Sequence, residues 1–236
     1  MASDPPDSLS VVITAYQCAR YLGQAIDSVL AQTRPAQQVV VVDDGSTDGC
    51  TEVVQAYGSQ VQYFHQDNQG IGSARNAGIR QATGRWLALL DGDDYWTPNK
   101  LADQLAAAAA DPQLEAIFGH IQVFVSPEMA PAEQAQLRAG PDPLPGYCAS
   151  TLLLQRAVFW RVGAFSEQYD IGEFVEWYGR AMDAGVRAHL LPGTLAWRRQ
   201  HANNSTRRNR DQRPEYAHVL KAMLDRRRAA QRAHGA

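Results

Sequence analysis

Short apolar runs and longer stretches of helical periodicity alternate through the first hundred residues of this 236-residue chain, and that alternation constrains the fold more than any other feature. Leu9-Ser10-Val11-Val12-Ile13-Thr14 reads as a strand, and Tyr21 to Gln32 places Leu22, Ala25, Ile26, Val29 and Leu30 at helical spacing. Gln38 to Val42 is too short and too uniformly apolar for a helix, as expected of a strand buried on both faces. A helix near Thr51–Tyr57, a strand at Val61–His65, a helix from Ile71 to Ala82 and a strand at Trp86–Leu90 continue the pattern. Joined by right-handed crossovers, such units make an α/β fold, a mostly parallel twisted sheet flanked by helices on both faces. Ligands of open sheets bind beyond the carboxyl ends of the strands. Those ends carry Thr14-Ala15-Tyr16, Asp43-Asp44-Gly45-Ser46, Asp67-Asn68-Gln69-Gly70 and Asp91-Gly92-Asp93-Asp94, so acidic side chains gather on one rim.

The second half is less regular. Thr97-Pro98 has the form of a helix cap followed by proline, opening a helix through the alanine run to Asp111-Pro112. Ile117–Val125 reads as a strand, and the proline-rich stretch Ser126–Pro145 as a mobile insertion with a short helix at Ala132–Leu137. Thr151–Leu154 follows as a strand, Arg156–Val162 as a helix ended by Gly163, and Phe174–Ala184 as a helix closed by Gly185. Val186–Leu191 and Leu195–Arg199 complete the chain as two strands around Pro192-Gly193. The organisation expected is a flexible N-terminus (1–8), one domain over 9–200 with halves 9–111 and 112–200, and a basic C-terminal loop and helix (201–236). No internal repeat is visible.

With 45% hydrophobic residues and a net charge of −3, the chain is not of disordered composition. No run approaches the roughly 18 apolar residues of a membrane span. The opening residues lack the basic and apolar regions of a secretory signal, and Cys18, Cys50 and Cys148 show no C-x-x-C spacing, so a cytoplasmic protein with free thiols is expected. The net charge conceals an asymmetry: from Arg198 onward eleven basic residues face three acidic ones, a +8 tail on a −11 body. Such a tail serves the body, a negative ligand or a negative surface.

Three carboxylates within Asp91-Gly92-Asp93-Asp94 repel one another unless a cation sits among them. A divalent ion of the hard class, Mg²⁺ or Mn²⁺, suits oxygen ligands of this kind, and a capped turn before the Thr97 helix accounts for the same residues. Asp43-Asp44-Gly45-Ser46-Thr47-Asp48 reads equally as turn chemistry or as carboxylates that accept from a ribose or a base N–H. Gly70-Ile71-Gly72-Ser73-Ala74-Arg75 has Arg75 where a dinucleotide fingerprint needs its third glycine. It reads more economically as a helix N-terminus facing an anion such as diphosphate, and it opposes an oxidoreductase.

Taken in order, Val11-Val12-Ile13-Thr14-Ala15-Tyr16, Ser28-Val29-Leu30-Ala31-Gln32-Thr33, Val41 to Asp48, Gly72-Ser73-Ala74-Arg75-Asn76-Ala77-Gly78 and Leu90-Asp91-Gly92-Asp93-Asp94 resemble the motif set of family 2 glycosyltransferases. The resemblance spans residues 9 to 200 and is strongest up to Leu101. It implies the GT-A fold, with 9–111 as the nucleotide-sugar half and 112–200 as the acceptor half. The implied reaction is metal-dependent, inverting transfer of a sugar from a nucleoside diphosphate sugar, in the first place a UDP-sugar. By the same resemblance Thr14, Ala15 and Tyr16 line the nucleobase pocket, Asp44 accepts from the base with Asp43 beside it, and Arg75 contacts base or phosphate. In the D-x-D motif Asp91 addresses the ribose, Gly92 separates the carboxylates, and Asp93 holds the Mn²⁺ or Mg²⁺, with Asp91 and His201 as further ligands. Arg198, Arg199 and His201 lie in the segment that closes over the diphosphate.

Inverting transfer needs a carboxylate beside the acceptor nucleophile. The family's usual aspartate, in a Gly-Glu-Asp sequence, is replaced here by Phe174 within Gly172-Glu173-Phe174-Val175-Glu176-Trp177. Glu173 and then Glu176 are the candidates for the base, with Asp170 behind them. Trp160, Trp177, Tyr147 and Tyr178 are candidates for an acceptor platform of saccharide, lipid-linked or peptide type, or else for core. Ala217, Leu220, Met223 and Leu224 share a face of the C-terminal helix, which either packs on the acidic body or makes a peripheral contact with the inner membrane face. A non-catalytic nucleotide-sugar binder is the alternative from another class. The −11 body argues against nucleic acid.

Overall fold

Strands β1 (Leu9–Ala15), β2 (Gln38–Asp43) and β4 (Trp86–Asp91) are apolar runs because both of their faces are covered. The structure, a computed structural model, describes residues 8–134, 137, 139–202, 204 and 214–234. In these three strands, side chains alternate between two cores. Val11, Ile13, Val39, Val41, Ala88 and Leu90 meet Leu22, Ile26 and Val29 of α1 (Ala19–Leu30), together with Cys50 and Val54 of α2 (Cys50–Gln55). Val12, Val40, Val42, Leu87 and Leu89 face the opposite way, toward Ala74 and Ile79 of α3 (Ile71–Gln81). Helix α3 lies so close to the sheet that a Cβ on Gly78 would fall 2.2 Å from Val12 Cγ1.

Among the described residues the sheet has nine strands. Strands β3 (Gln62–His65), β2, β1 and β4 are parallel neighbours in that order. Beyond β4 come β8 (Leu153–Gln155), antiparallel to it, then β6 (Ala116–Val125), β9 (Ala188–Gln200) and β5 (Tyr95–Trp96), with β7 (Leu144–Gly146) paired to β6. The second core is closed by Val158 and Phe159 of α6 (Arg156–Val162) and by Phe174, Trp177 and Ala181 of α7 (Glu173–Asp183). This is the mostly parallel, helix-flanked sheet expected.

Several boundaries differ from expectation. Val186–Leu191 and Leu195–Arg199 are one strand, β9, whose register against β6 shifts across Pro192-Gly193 as a bulge. Thr97 does not cap α4 (Lys100–Ala110): its hydroxyl lies 3.2 Å from Thr194 O, and Asn99 holds the cap position. Residues 149–151 form a 3₁₀ turn rather than the start of the Thr151–Leu154 strand. In the proline-rich stretch a helical turn, α5, spans Pro131–Gln134; residues 135 and 136 of the expected Ala132–Leu137 helix, the N-terminal residues 1–7 and residues 205–213 of the basic tail lie outside the described residues.

The C-terminal helix α8 (Pro214–His234) packs on α7, but through a different face from the one expected. Val219 is fully buried, Met223 sits over Gly179, and Arg226 and Arg227 bond to Asp183. Leu220 and Leu224 are more than half exposed. No helix among the described residues is long and apolar enough to cross a membrane.

Candidate active site

Parallel register brings the acidic strand ends together. Thr14 pairs with Asp91 across β1 and β4, and Ala15 pairs with Asp43 across β1 and β2. A cleft of about 380 Å³ opens at this edge. One wall consists of Thr14, Ala15, Tyr16, Asp44, Gly70, Ile71, Asp91, Gly92 and Asp93, and the second half of the chain adds Asp170, Arg198, His201 and Asn204. Tyr16 presents a ring that is 40% exposed. The chain turns sharply after it, with Gln17 at φ +50° held by Ser46 Oγ and by Thr47 Oγ1. A non-glycine residue in that region stores strain that its neighbours must restrain.

Asp43 and Asp44 divide their work. Asp43 is fully buried and turned out of the cleft: Oδ1 accepts from the Ser46 N–H at 2.9 Å and Oδ2 from the Tyr63 hydroxyl at 2.8 Å. Asp44 lines the cleft and gathers the 66–70 loop, accepting from Gln66 Nε2 and Gln69 N on Oδ1 and from Gly70 N and Asn68 Nδ2 on Oδ2. Burial pushes the Asp44 carboxyl above the usual carboxylate range, while these donors pull the other way.

At the end of β4, Gly92 donates its N–H to Thr14 O at 2.8 Å, and a Cβ there would lie 2.9 Å from both that oxygen and Cys18 Sγ. Only glycine fits between the two aspartates. The carboxylates then part. Asp91 accepts from Arg75 Nη2 at 2.7 Å, and Arg75 Nη1 bonds to Glu173 at the start of α7. Burial works against the Arg75 charge, and the two carboxylates more than offset it, so its pKa is raised. Asp93 Oδ2 lies 3.0 Å from His201 Nε2 and accepts from Asn204 Nδ2 at 3.1 Å. Asp94 is buried, accepting from Ser150 Oγ and the Arg199 N–H; burial first, and the charges of Asp93 and Asp91 next, raise its pKa well above normal.

The cleft thus unites Thr14, Ala15, Tyr16, Asp44, Asp91, Gly92, Asp93 and His201, whereas Asp43, Arg75, Glu173 and Glu176 lie outside its lining. Glu176 is 7% exposed and holds Arg180 and Arg226. Phe174 packs with Phe165, Trp177 and Tyr178. Trp177 is core, Trp160 is exposed, and Tyr147 and Tyr178 form a ring pair beside Phe118, none of them in the cleft lining. Strand alternation separates Arg198, which faces the cleft, from Arg199, which is buried against the Tyr21 and Phe124 rings and bonds to Asp93 O. Arg199 therefore braces Asp93 from behind instead of closing over a ligand. Asn204 and Ser150 were not singled out from the sequence; Asn204 stands within the Arg198–Thr206 segment, but nothing local marks Ser150.

Asp93 and His201 bring one oxygen and one nitrogen donor within 3.0 Å of each other. No three His, Cys, Asp or Glu side chains converge among the described residues. The pair therefore fits a divalent ion whose remaining ligands are phosphate oxygens and water, as Mg²⁺ and Mn²⁺ prefer.

Residues 10–163 match the model of Glycosyl transferase family 2. An uncharacterized glycosyltransferase of Nostoc is 48% identical over 97 residues, covering 39% of this chain and 30% of the relative. Validoxylamine A glucosyltransferase of Streptomyces hygroscopicus subsp. jinggangensis is 31% identical over 229 residues, covering 80% of this chain and 53% of the relative. The chain thus spans only about a third to a half of these curated relatives. Among solved structures, S. aureus TarS superposes with a TM-score of 0.69 at 21% identity, over 92% of this chain and 39% of TarS, and so shares its fold. With the family model covering well over half of its length, the chain belongs to glycosyl transferase family 2.

Proposed function

We propose that this chain transfers a sugar from a nucleoside diphosphate sugar, in the first place a UDP-sugar, to a hydroxyl acceptor with inversion at the anomeric carbon. The observation that carries the reading is the meeting of Asp93 and His201, 108 residues apart, in a cleft also lined by the ends of β1 and β4. Thr14, Ala15 and Tyr16 would receive the nucleobase against the Tyr16 ring, and Asp44 keeps the facing 66–70 loop in place. Asp91, oriented by Arg75, would address the ribose. Asp93 and His201 would hold Mg²⁺ or Mn²⁺. Bound there, the ion would take up negative charge on the leaving diphosphate. Arg198, also in the cleft lining, adds a second positive charge. The solved complexes of TarS with UDP-GlcNAc and with UDP support a uridine donor, and the glucosyltransferase name of the Streptomyces relative supports a hexose.

Thermal melting with UDP, Mn²⁺ and the two together tests this. Together they are expected to raise the melting temperature, since ligand at 100 times Kd adds about 2.7 kcal/mol. If no nucleoside diphosphate stabilises the chain in the presence of metal, the reading fails. A second reading, a nucleotide-sugar binder without transferase activity, is favoured by one observation: Phe174, at the usual base position, is part of the aromatic core. UDP stabilisation without any UDP release from a UDP-sugar would establish it.

A further inference from the structure

We propose that Tyr21 and Glu128 are positioning residues for the metal end of the cleft, Glu128 holding the Tyr21 ring and that ring holding the His201 imidazole toward Asp93. The assignment rests on the reading above in which Asp93 and His201 hold Mg²⁺ or Mn²⁺. His201 stands one residue past the end of β9, so the strand ladder that fixes Gln200 no longer reaches it. Its backbone N–H donates to Asn204 Oδ1 at 2.6 Å, which turns the main chain but leaves the ring two side-chain torsions to settle. The Tyr21 ring, on α1, packs on the imidazole with centroids 4.6 Å apart and the planes at 53°. In that orientation Nε2 lies 3.0 Å from Asp93 Oδ2. A ligand held in its binding orientation beforehand spares the incoming ion the ordering of that side chain.

Tyr21 is itself fixed by a closed circuit of side chains from three segments of the chain. Its hydroxyl donates to Glu128 Oε1, 107 residues away in the stretch that follows β6. Glu128 Oε2 accepts from Ser126 Oγ at 2.6 Å, and Ser126 Oγ accepts from Arg199 Nη1 at 3.2 Å. The serine hydroxyl thus gives its one proton to Glu128 and takes one from Arg199. The Arg199 guanidinium closes the circuit over the Tyr21 ring, 4.5 Å from its centroid. Arg199 also donates from Nε to Asp93 O at 3.1 Å. The circuit therefore touches both members of the Asp93–His201 pair, one through the Tyr21 ring and the other through the Asp93 backbone. Packing alone would be served by phenylalanine at position 21; the hydroxyl ties the ring to Glu128.

The test is the Kd for Mn²⁺, read from the electron paramagnetic resonance signal of the free ion as it is titrated into the full chain saturated with UDP. Tyr21→Leu is expected to raise that Kd about 10-fold, the low end for losing a partner that orients a metal ligand. Tyr21→Phe keeps the ring and loses only its bond to Glu128, so it and Glu128→Ala are expected to raise Kd by one common, smaller factor. The double variant Tyr21→Phe/Glu128→Ala is then no worse than either alone. These two substitutions also keep the test open should Tyr21→Leu fail to fold, since the Glu128 side chain is 22% exposed and Tyr21→Phe removes a single oxygen. In a His201→Ala background Tyr21→Leu is expected to have no further effect on Kd, which a merely structural role would not reproduce. An equal effect of Tyr21→Leu with and without His201 would overturn the assignment. So would Mn²⁺ affinity that falls in His201→Ala and stays intact in Tyr21→Leu, or that falls in Tyr21→Phe and stays intact in Glu128→Ala. Absence of Mn²⁺ binding in the UDP-loaded wild type, or unchanged affinity in His201→Ala, would instead overturn the metal-site reading itself, and the positioning role with it.

Discussion

At the ends of β2 and β4 the acidic side chains are held within the sheet edge and the elements packed on it, whereas the segment between α6 and α7 is also tied down through its backbone, by a helix some 45 residues further on. The difference follows from topology. Parallel strands in register deliver their last residues to one edge, so Thr14, Asp43 and Asp91 are neighbours before any side chain is considered. The mixed half has no such rule: β8, β6 and β9 each approach from different parts of the chain, and the residues they carry are placed by long-range packing. Arg75 joins the two regimes, since it stands on α3 and bridges Asp91 of β4 to Glu173 of α7.

That bridge offers the largest expected effect. Arg75→Met leaves Glu173 buried and facing Asp91 without a cation, and breaking a buried ion pair in this way costs about 3–5 kcal/mol. Urea unfolding would measure it, and adding Glu173→Leu should recover part of the loss. A loss below about 1 kcal/mol would show that the two halves are not joined electrostatically. Next, Asp93→Asn is expected to remove the metal-dependent part of UDP stabilisation, about 2.7 kcal/mol at 100 times Kd. Unchanged UDP stabilisation in the presence of Mn²⁺ would take Asp93 out of the site.

Packing tightness differs between two positions, one in each half. Gly78→Ala would put a methyl group 2.2 Å from Val12 Cγ1 and 3.1 Å from Val42 Cγ2. Overpacking of this kind costs about 1–3 kcal/mol, and alanine's better helix propensity, about 1 kcal/mol, offsets only part of it. Gly193, in the β9 bulge, has nothing within 4 Å of its ideal Cβ, so Gly193→Ala should stay within about 0.5 kcal/mol of wild type. Equal effects at the two glycines would contradict the packing difference.

What could be read in advance divides along this line. Strands β1, β2 and β4 are visible because burial on both faces makes each an apolar run, and the rim because strand ends are local features. The partners were not visible. Arg75 looked like an anion contact at a helix N-terminus, yet its two carboxylates lie 16 and 98 residues away and only the folded sheet brings them within reach. Asp43 and Asp44 are adjacent and chemically identical, and only the pleat decides that one faces Tyr63 and the other the cleft. Lys100 gave no sign of being buried beneath the Trp96 ring, where it bonds to Gln104 Oε1 and Leu152 O; burial lowers its pKa well below normal.

The C-terminal helix provides the smallest and most discriminating test, because two readings of its face differ by one residue. Periodicity alone groups Leu220 and Leu224 with Met223, but α7 selects Val219 and Met223, which follow from docking Tyr216 beside Gly172 and Arg226 beside Glu176 and Asp183. Val219→Ala removes two buried methyl groups, about 1.5 kcal/mol at 0.8 kcal/mol each. Leu220→Ser, at a position 54% exposed, should change stability by less than about 0.5 kcal/mol. Thermal unfolding of the two single variants separates them. A larger loss at Leu220 would mean that this helix turns its other face to the body.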